Sequence, residues 1–327
     1  MLQLSILSRD DKRDTEMTDS LNAVAIAELS QCSIKSTCPY CGVGCGVEIS
    51  KHDDEILVMG DKRHPANFGK LCIKGKNLAQ TLTNDNRLIE PVINGRTQTW
   101  SRTLDYVANG FNRTIEQYGK DSVAFYVSGQ LLTEDYYVAN KLMKGFIGSG
   151  NIDTNSRLCM SSAVAAHKQV FGEDIVPMSY SDIIKSDLII ITGSNLAWCH
   201  PVIYQRIREE KLRRPSLKVV VIDPRATATL ELADLHLPLQ SGSDLILFNA
   251  LFSYLAEQQQ VDLTLPGMMD ALAQAKKSTK LIEQTGLSDK LLSQFFELFS
   301  VNHRVVTLFS QGINQSTQGT KQVGAIL

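Results

Sequence analysis

Apolar positions along this chain change their period near Trp100. Before it come two short alternating runs, Val47 to Ser50 and Glu55 to Met59. They read as a pair of strands turning at His52-Asp53-Asp54. Lys62 to Lys70 is a polar loop, and Asn86 to Gly95 is a linker or short strand. Beyond Trp100, Ser101 is placed to cap a helix. Leu104, Val107, Ala108, Phe111 and Ile115 then recur at helical spacing and stop at Gly119. Four apolar, β-branched runs follow: Ser122 to Val127, Asp187 to Thr192, Leu217 to Ile222 and Arg304 to Phe309. Helical segments lie between and around them at Glu134–Phe146, Ser156–Val170, Pro201–Arg213, Leu245–Gln258 and Ser288–Phe299. Strands without alternation, separated by helices, predict an α/β fold with a doubly wound parallel sheet. Each strand run ends in small or polar residues: Ser128-Gly129-Gln130, Gly193-Ser194-Asn195, Asp223-Pro224-Arg225 and Ser310-Gln311-Gly312. Such sheets bind ligands at the carboxyl ends of their strands, so a nucleotide-type ligand is expected there. None of the loops spells G-x-G-x-x-G, and a nicotinamide dinucleotide is not indicated.

The 327 residues suffice for about two domains, and an apolar fraction of 43% supplies a core. A net charge of −2 gives no basic field for nucleic acid. No apolar run approaches the roughly 18 residues of a membrane span. The first 35 residues, with mixed charge at Arg9-Asp10-Asp11-Lys12-Arg13-Asp14, contain neither a secretory nor a twin-arginine signal. They read as a flexible leader or one short helix. A cytoplasmic location follows if Met1 is the start. The end, Val323-Gly324-Ala325-Ile326-Leu327, comes just after a strand and its loop, as expected of part of a longer protein.

Four cysteines carry the first chemical signal. Cys38, Cys41 and Cys45 lie within eight residues, and Cys72 follows after 26 intervening residues. Three thiols so crowded cannot form independent disulfides. A disulfide framework also belongs to small secreted domains rather than to a chain of this length. Four thiolates from a Gly- and Pro-containing loop suit an iron–sulfur cluster or a zinc ion. The C-x2-C-x3-C spacing, unlike the paired C-x2-C knuckles of structural zinc, favours a [4Fe–4S] cluster.

With these loops in place, the chain resembles the amino-terminal part of a prokaryotic molybdopterin oxidoreductase, closest to the cytoplasmic assimilatory nitrate reductases. The resemblance runs from about Ser36 to Leu327. It is carried by Cys38-Pro39-Tyr40-Cys41-Gly42-Val43-Gly44-Cys45, Phe125-Tyr126-Val127-Ser128-Gly129-Gln130, Asn155-Ser156-Arg157-Leu158-Cys159-Met160, Gly193-Ser194-Asn195-Leu196-Ala197-Trp198-Cys199-His200-Pro201 and Val221-Ile222-Asp223-Pro224-Arg225. It implies a leader over residues 1–35, a small [4Fe–4S] domain over 36–95, and an α/β region over 96–327 that binds molybdopterin guanine dinucleotide. That region is incomplete at its carboxy end, because family members add a further α/β region and a β-barrel. The implied cofactors are one [4Fe–4S] cluster on Cys38, Cys41, Cys45 and Cys72, and molybdenum carried by two molybdopterin guanine dinucleotides. Cys159 matches the protein ligand to molybdenum. From the residues alone, Cys159 is a lone cysteine opening a helical segment and would be taken as structural. Lys74 matches a lysine between cluster and pterin that assists electron passage. Gln130 and Asn155 match cofactor contacts. Gly193, Ser194 and Asn195 match the loop under one guanine dinucleotide. Asp223 with Arg225, and Gly242 with Asp244, match two further nucleotide loops. Gln311, Gly312 and Gln315 match a pterin loop.

The implied activity is reduction of nitrate to nitrite, with electrons from a donor protein: an NAD(P)H-linked flavoprotein, ferredoxin or flavodoxin. The amino-terminal part alone is expected to be inactive. Formate dehydrogenases share most of these motifs but usually carry His after the metal ligand, where this chain has Met160. A periplasmic nitrate reductase would carry a twin-arginine leader. A cluster-only electron-transfer subunit would not need Cys159 or the nucleotide loops.

Overall fold

The computed structural model describes residues 33–53, 55–85, 87–277 and 280–327. The leader expected over 1–35 lies outside these residues except for its last three. Those belong to a strand, β1 (Ser33–Thr37), not to a leader. The chain forms two compact units. One runs through Val123 and takes in Gln130–Gly150; the other joins Ala124–Gly129 to Asn151–Leu327.

In the first unit, β1 pairs antiparallel with β2 (Gly46–His52), and β2 with β3 (Glu55–Gly60). The expected pair of strands is therefore the inner and outer part of a three-stranded sheet. Val92–Ile93 (β4) and Arg96–Thr97 (β5) form a small antiparallel ribbon. The helix beyond it runs Trp100–Tyr118, and its cap is Thr99, whose Oγ1 accepts from the Arg102 N–H, rather than Ser101. Its apolar stripe is left exposed at Leu104 and Val107. The segment expected as one helix over Glu134–Phe146 is an α-helix, Thr133–Asn140, continued by a π-helical turn, Lys141–Ile147.

The second unit contains the parallel sheet, in the order β10-β9-β8-β11. Its strands are β8 (Leu188–Thr192), β9 (Lys218–Ile222), β10 (Leu235–Leu237) and β11 (Val305–Phe309). Side chains alternate between faces with the two-residue period of a strand. Leu188, Ile190, Val220 and Ile222 face one core with Leu247, Phe248, Phe295 and Phe296; Ile189, Ile191, Val219 and Val221 face another with Ile207 and Leu232. Helices thus cover both faces, and the doubly wound expectation holds. At the amino ends of β8 and β11, Arg304 grips both carboxylate oxygens of Asp187, at 2.9 and 2.6 Å.

One expected member is elsewhere. The run ending at Val127 forms only Phe125–Val127 (β6), which pairs in parallel with Ile152–Thr154 (β7) in a separate two-stranded sheet. The fourth strand of the main sheet is instead β10, whose three residues are too short to read as a periodic run.

Candidate functional site

The thiols of the first unit sit on a loop closed by the Cys38 N–H, which donates to the Cys45 carbonyl at 2.9 Å. Cys72 arrives from the other side, at the start of a one-turn helix, Ile73–Lys76. Asn67 joins the two arms. Its Oδ1 accepts from the Gly46 N–H at 2.9 Å, and its Nδ2 donates to the Gly46 carbonyl at 3.0 Å and to the Lys70 carbonyl at 2.9 Å. This side chain is fully buried. All three partners are backbone groups, so neither end of the carboxamide is left unpaired. In the sequence it was one residue of a polar loop.

All six described cysteines are free thiols, which removes the disulfide reading. Burial raises the Cys38 thiol above its usual range, opposed by the Tyr40 N–H and assisted by Cys72 and Cys41. Cys45 is pushed up to about 11 by burial, then by Cys38, Cys41 and Cys72. The four thiols therefore share one electrostatic neighbourhood. Among the described residues no three His, Cys, Asp or Glu side chains close on a single metal ion. Four thiols in one neighbourhood, three of them from one tight loop, are the donor set of a four-iron cluster. Lys74 is exposed; its ammonium lies 5.4 Å from the centre of the Tyr40 ring and tends to lower the Cys38 thiol.

In the second unit the chain runs from β8 outward to β9 and β10, then returns to place β11 on the other side of β8. The carboxyl ends of β8 and β11 therefore flank a topological switch point, where open α/β sheets form their ligand crevice. Two loops meet there. The Gly312 N–H donates to the Gly193 carbonyl at 2.9 Å. Gly193 has φ +55°, and a Cβ on it would stand 2.8 Å from the Ile313 nitrogen; one on Gly312 would stand 2.7 Å from the Gly193 Cα. Only glycine admits this backbone approach. Beside them Ser194 Oγ is buried without a hydrogen-bond partner. A buried orphan hydroxyl at a crevice suits a polar ligand that would complete it.

Asn195 Oδ1 accepts from Thr229 Oγ1 at 3.1 Å. Asp223, at the end of β9, is buried and accepts from the Arg225 N–H at 2.8 Å. Asp244, buried in the first turn of its helix, is held above the usual carboxylate range by burial and by the charge of Asp223. The structure therefore brings Asp223 and Asp244 together. Gly242 lies on the turn before that helix, at φ +86° with open space about it.

Cys159 ends the one-turn helix Ser156–Cys159, and a new helix, Ser161–Phe171, begins after Met160. The single helix expected over Ser156–Val170 is thus broken at the thiol. Cys159 closes a turn rather than opening a helix. Gln311 Nε2 and Gln315 Nε2 each approach Cys159 Sγ at 3.4 Å, and Gln311 Nε2 also approaches Met160 Sδ at 3.0 Å. Asn155, one turn earlier, accepts the Gly129 N–H on Oδ1 at 2.7 Å, tying the loops after β6 and β7. Gln130 follows directly in sequence. Asn314 contacts Cys159, Gln311 and the following helix; nothing in the sequence pattern set it apart.

The four-iron domain of the molybdopterin oxidoreductases matches residues 32–84, and the molybdopterin oxidoreductase domain matches residues 87–327. The chain belongs to the molybdopterin oxidoreductase family, whose cofactors are a [4Fe–4S] cluster and molybdopterin. It is 47% identical over 296 residues to a nitrate reductase of Klebsiella oxytoca, covering 90% of this chain and 34% of that protein. It is 44% identical over 312 residues to a nitrate reductase of Shewanella frigidimarina, covering 90% and 33%. The chain thus spans about a third of the length of these relatives. The acetylene hydratase of Pelobacter acetylenicus has the same fold, with a TM-score of 0.74 over 89% of this chain and 42% of that one at 21% identity.

Proposed function

We propose that the complete protein of which these residues form part reduces nitrate to nitrite in nitrate assimilation. The observation that carries the reading is the convergence of Cys159, Gln311 and Gln315 on the β11 side of the sheet's switch point, in a chain 47% identical to a nitrate reductase. Cys38, Cys41, Cys45 and Cys72 would hold the cluster. Cys159 offers a soft thiolate to molybdenum in an already sulfur-rich sphere. The bound molybdenum, carried by two molybdopterin guanine dinucleotides, supplies two-electron oxygen-atom chemistry: nitrate, two electrons and two protons give nitrite and water.

This chain's residues bind and orient. The loop Gly193 to Asn195, whose Ser194 hydroxyl is free while the Gly193 N–H is taken by the Ile222 carbonyl, suits a pyrophosphate or ribose. The Asp223 and Asp244 carboxylates suit guanine or ribose donors, with Gly242 and Arg225 on the same loops. Asn155, Gln311, Gly312 and Gln315 would contact the pterin, and Gln130 is assigned to it by its match to the family pattern. Lys74 is an exposed cation near Tyr40 of the cluster loop, where it would favour added electron density on a bound cluster. By the family resemblance the cluster domain ends at about residue 95, inside the compact unit that runs through Val123. Electrons would come from a flavoprotein, ferredoxin or flavodoxin in the cytoplasm.

The test is anaerobic expression of the complete protein and assay of nitrate reduction with a reduced viologen, with formate oxidation measured alongside. Nitrite formation is expected. Formate turnover without nitrite overturns the substrate assignment and moves the activity to the formate dehydrogenases. Cluster absorbance with neither activity and no molybdenum leaves a cluster-only electron carrier.

A further inference from the structure

Cys159 sits where two helices meet, and the second of them starts without a side-chain cap of its own. The first turn of any helix leaves N–H groups without partners, and a short polar side chain usually accepts from one of them. Here the acceptor comes from far along the chain: Asn314 Oδ1 takes the Ala163 N–H at 2.8 Å, across 151 residues. Asn314 is 2% exposed. Because a backbone N–H can only donate, the carboxamide must present oxygen to Ala163. Its Nδ2 is then left to donate, and it does so to the Cys159 carbonyl and, at 2.9 Å, to Gln311 Oε1. With its oxygen occupied, Gln311 must in turn present Nε2 to Cys159 Sγ and Met160 Sδ. A helix terminus therefore sets the polarity of two successive carboxamides, and the last of them faces the thiol. Amide orientations are ordinarily ambiguous; these are settled by backbone groups of fixed polarity at two of the three contacts of Asn314.

We infer that Asn314 is the positioning residue of the Cys159 site: it caps the helix after Cys159, anchors the Cys159 backbone, and turns Gln311 so that an N–H donor faces the sulfur. The inference rests on Cys159 being the ligand to molybdenum. Asn314 touches neither cofactor nor substrate in this role and acts through Gln311. A carboxylate in its place would still accept from Ala163 but could not donate. Gln311 would then rotate and offer oxygen to the thiolate, so that attraction becomes repulsion.

The test uses the complete, cofactor-loaded protein and the Mo(V) electron paramagnetic resonance signal. Asn314→Asp is expected to keep the Ala163 amide protected from hydrogen exchange while shifting the g values of that signal. Gln311→Leu is expected to shift them too, and the double variant to add nothing beyond Gln311→Leu alone. A spectrum unchanged in Asn314→Asp but altered in Cys159→Ala overturns the positioning role and leaves the ligand assignment intact. An unchanged spectrum in Cys159→Ala overturns the ligand assignment and the inference together. Fully additive shifts in the double variant also overturn it, because they mean Asn314 does not act through Gln311. Cofactor-free protein gives an independent reading if the variant loads poorly. The side-chain amide resonance of Gln311 is expected to move in Asn314→Asp, and an unmoved resonance counts against the proposal.

Discussion

The two thiol sites of this chain are held in opposite ways. Cys38, Cys41 and Cys45 lie on one short loop, and the side chain that braces it, Asn67, bonds only to backbone groups within about twenty residues of itself. Cys159 is surrounded by side chains from Gln311, Asn314 and Gln315, about 150 residues further on. The first site is a local object that needs little more than its own segment. The second exists only once β11 has been laid beside β8. Local contacts cost little loop entropy, whereas the Cys159 site requires a long loop to close before any of its bonds can form. Damage to the first should therefore stay near the cluster, while damage to the second should report on the whole parallel sheet.

The sharpest break between the two comes from single cysteine changes. In the complete protein, Cys41→Ala is expected to abolish the [4Fe–4S] absorbance, and Cys159→Ala to abolish the proposed nitrate reduction while leaving that absorbance intact. Visible spectra and iron and molybdenum analyses of both variants check this. Cluster loss in Cys159→Ala would mean that the sites are not independent. Next in size is Asn67→Ala, which removes three hydrogen bonds, two of them fully buried, and should destabilise the cluster-bearing unit by about 3 kcal/mol. Its measure is urea unfolding followed by loss of cluster colour. Gly193→Ala probes the other site. The left-handed φ and the close approach to Ile313 should make it cost about 1–3 kcal/mol and lower the melting temperature. A neutral result would mean that the two loops at the switch point do not touch as described.

The smallest expected effect is one of pH. Folding raises the Cys45 thiol to about 11, mainly by burial, so the neutral thiol is the form the fold favours. In the cluster-free protein this contribution is complete below the unfolded thiol's value, near 9, and is lost as pH rises toward 11. Denaturant midpoints of the cluster-free protein should therefore fall between about pH 9 and 11. Cys45→Ser should flatten that decline. Cluster uptake has the opposite sign. Ligation needs the thiolate, so assembly on the empty loop should quicken as pH rises.

The strands β8, β9 and β11 and the helices that cover them were legible because each is long and strongly patterned. Fully apolar β-branched runs such as Leu188-Ile189-Ile190-Ile191 have little choice but a sheet buried on both faces. β10 was not legible, since three residues carry no period and it is a strand only because β9 offers an open edge. β6 misled for the opposite reason. Its sequence suits the central sheet, and nothing local to it says that it pairs with β7 instead. The break at Met160 was equally hidden. The residues on both sides favour helix, and at the interruption Asn314 bonds to Cys159 and Ala163 from outside.

The sequence alone determined the cluster loop, the doubly wound sheet and, through its motifs, the family. Each of these is written in residues close enough together for spacing to carry meaning. Tertiary structure alone decided that Gly193 and Gly312 share one contact, that the charge of Asp223 reaches Asp244, and that a buried asparagine bonds to Gln311 beside Cys159. These pairings join segments whose separation along the chain bears no relation to their distance in space. Their partners are chosen by strand order, and strand order is the property that a one-dimensional pattern does not encode.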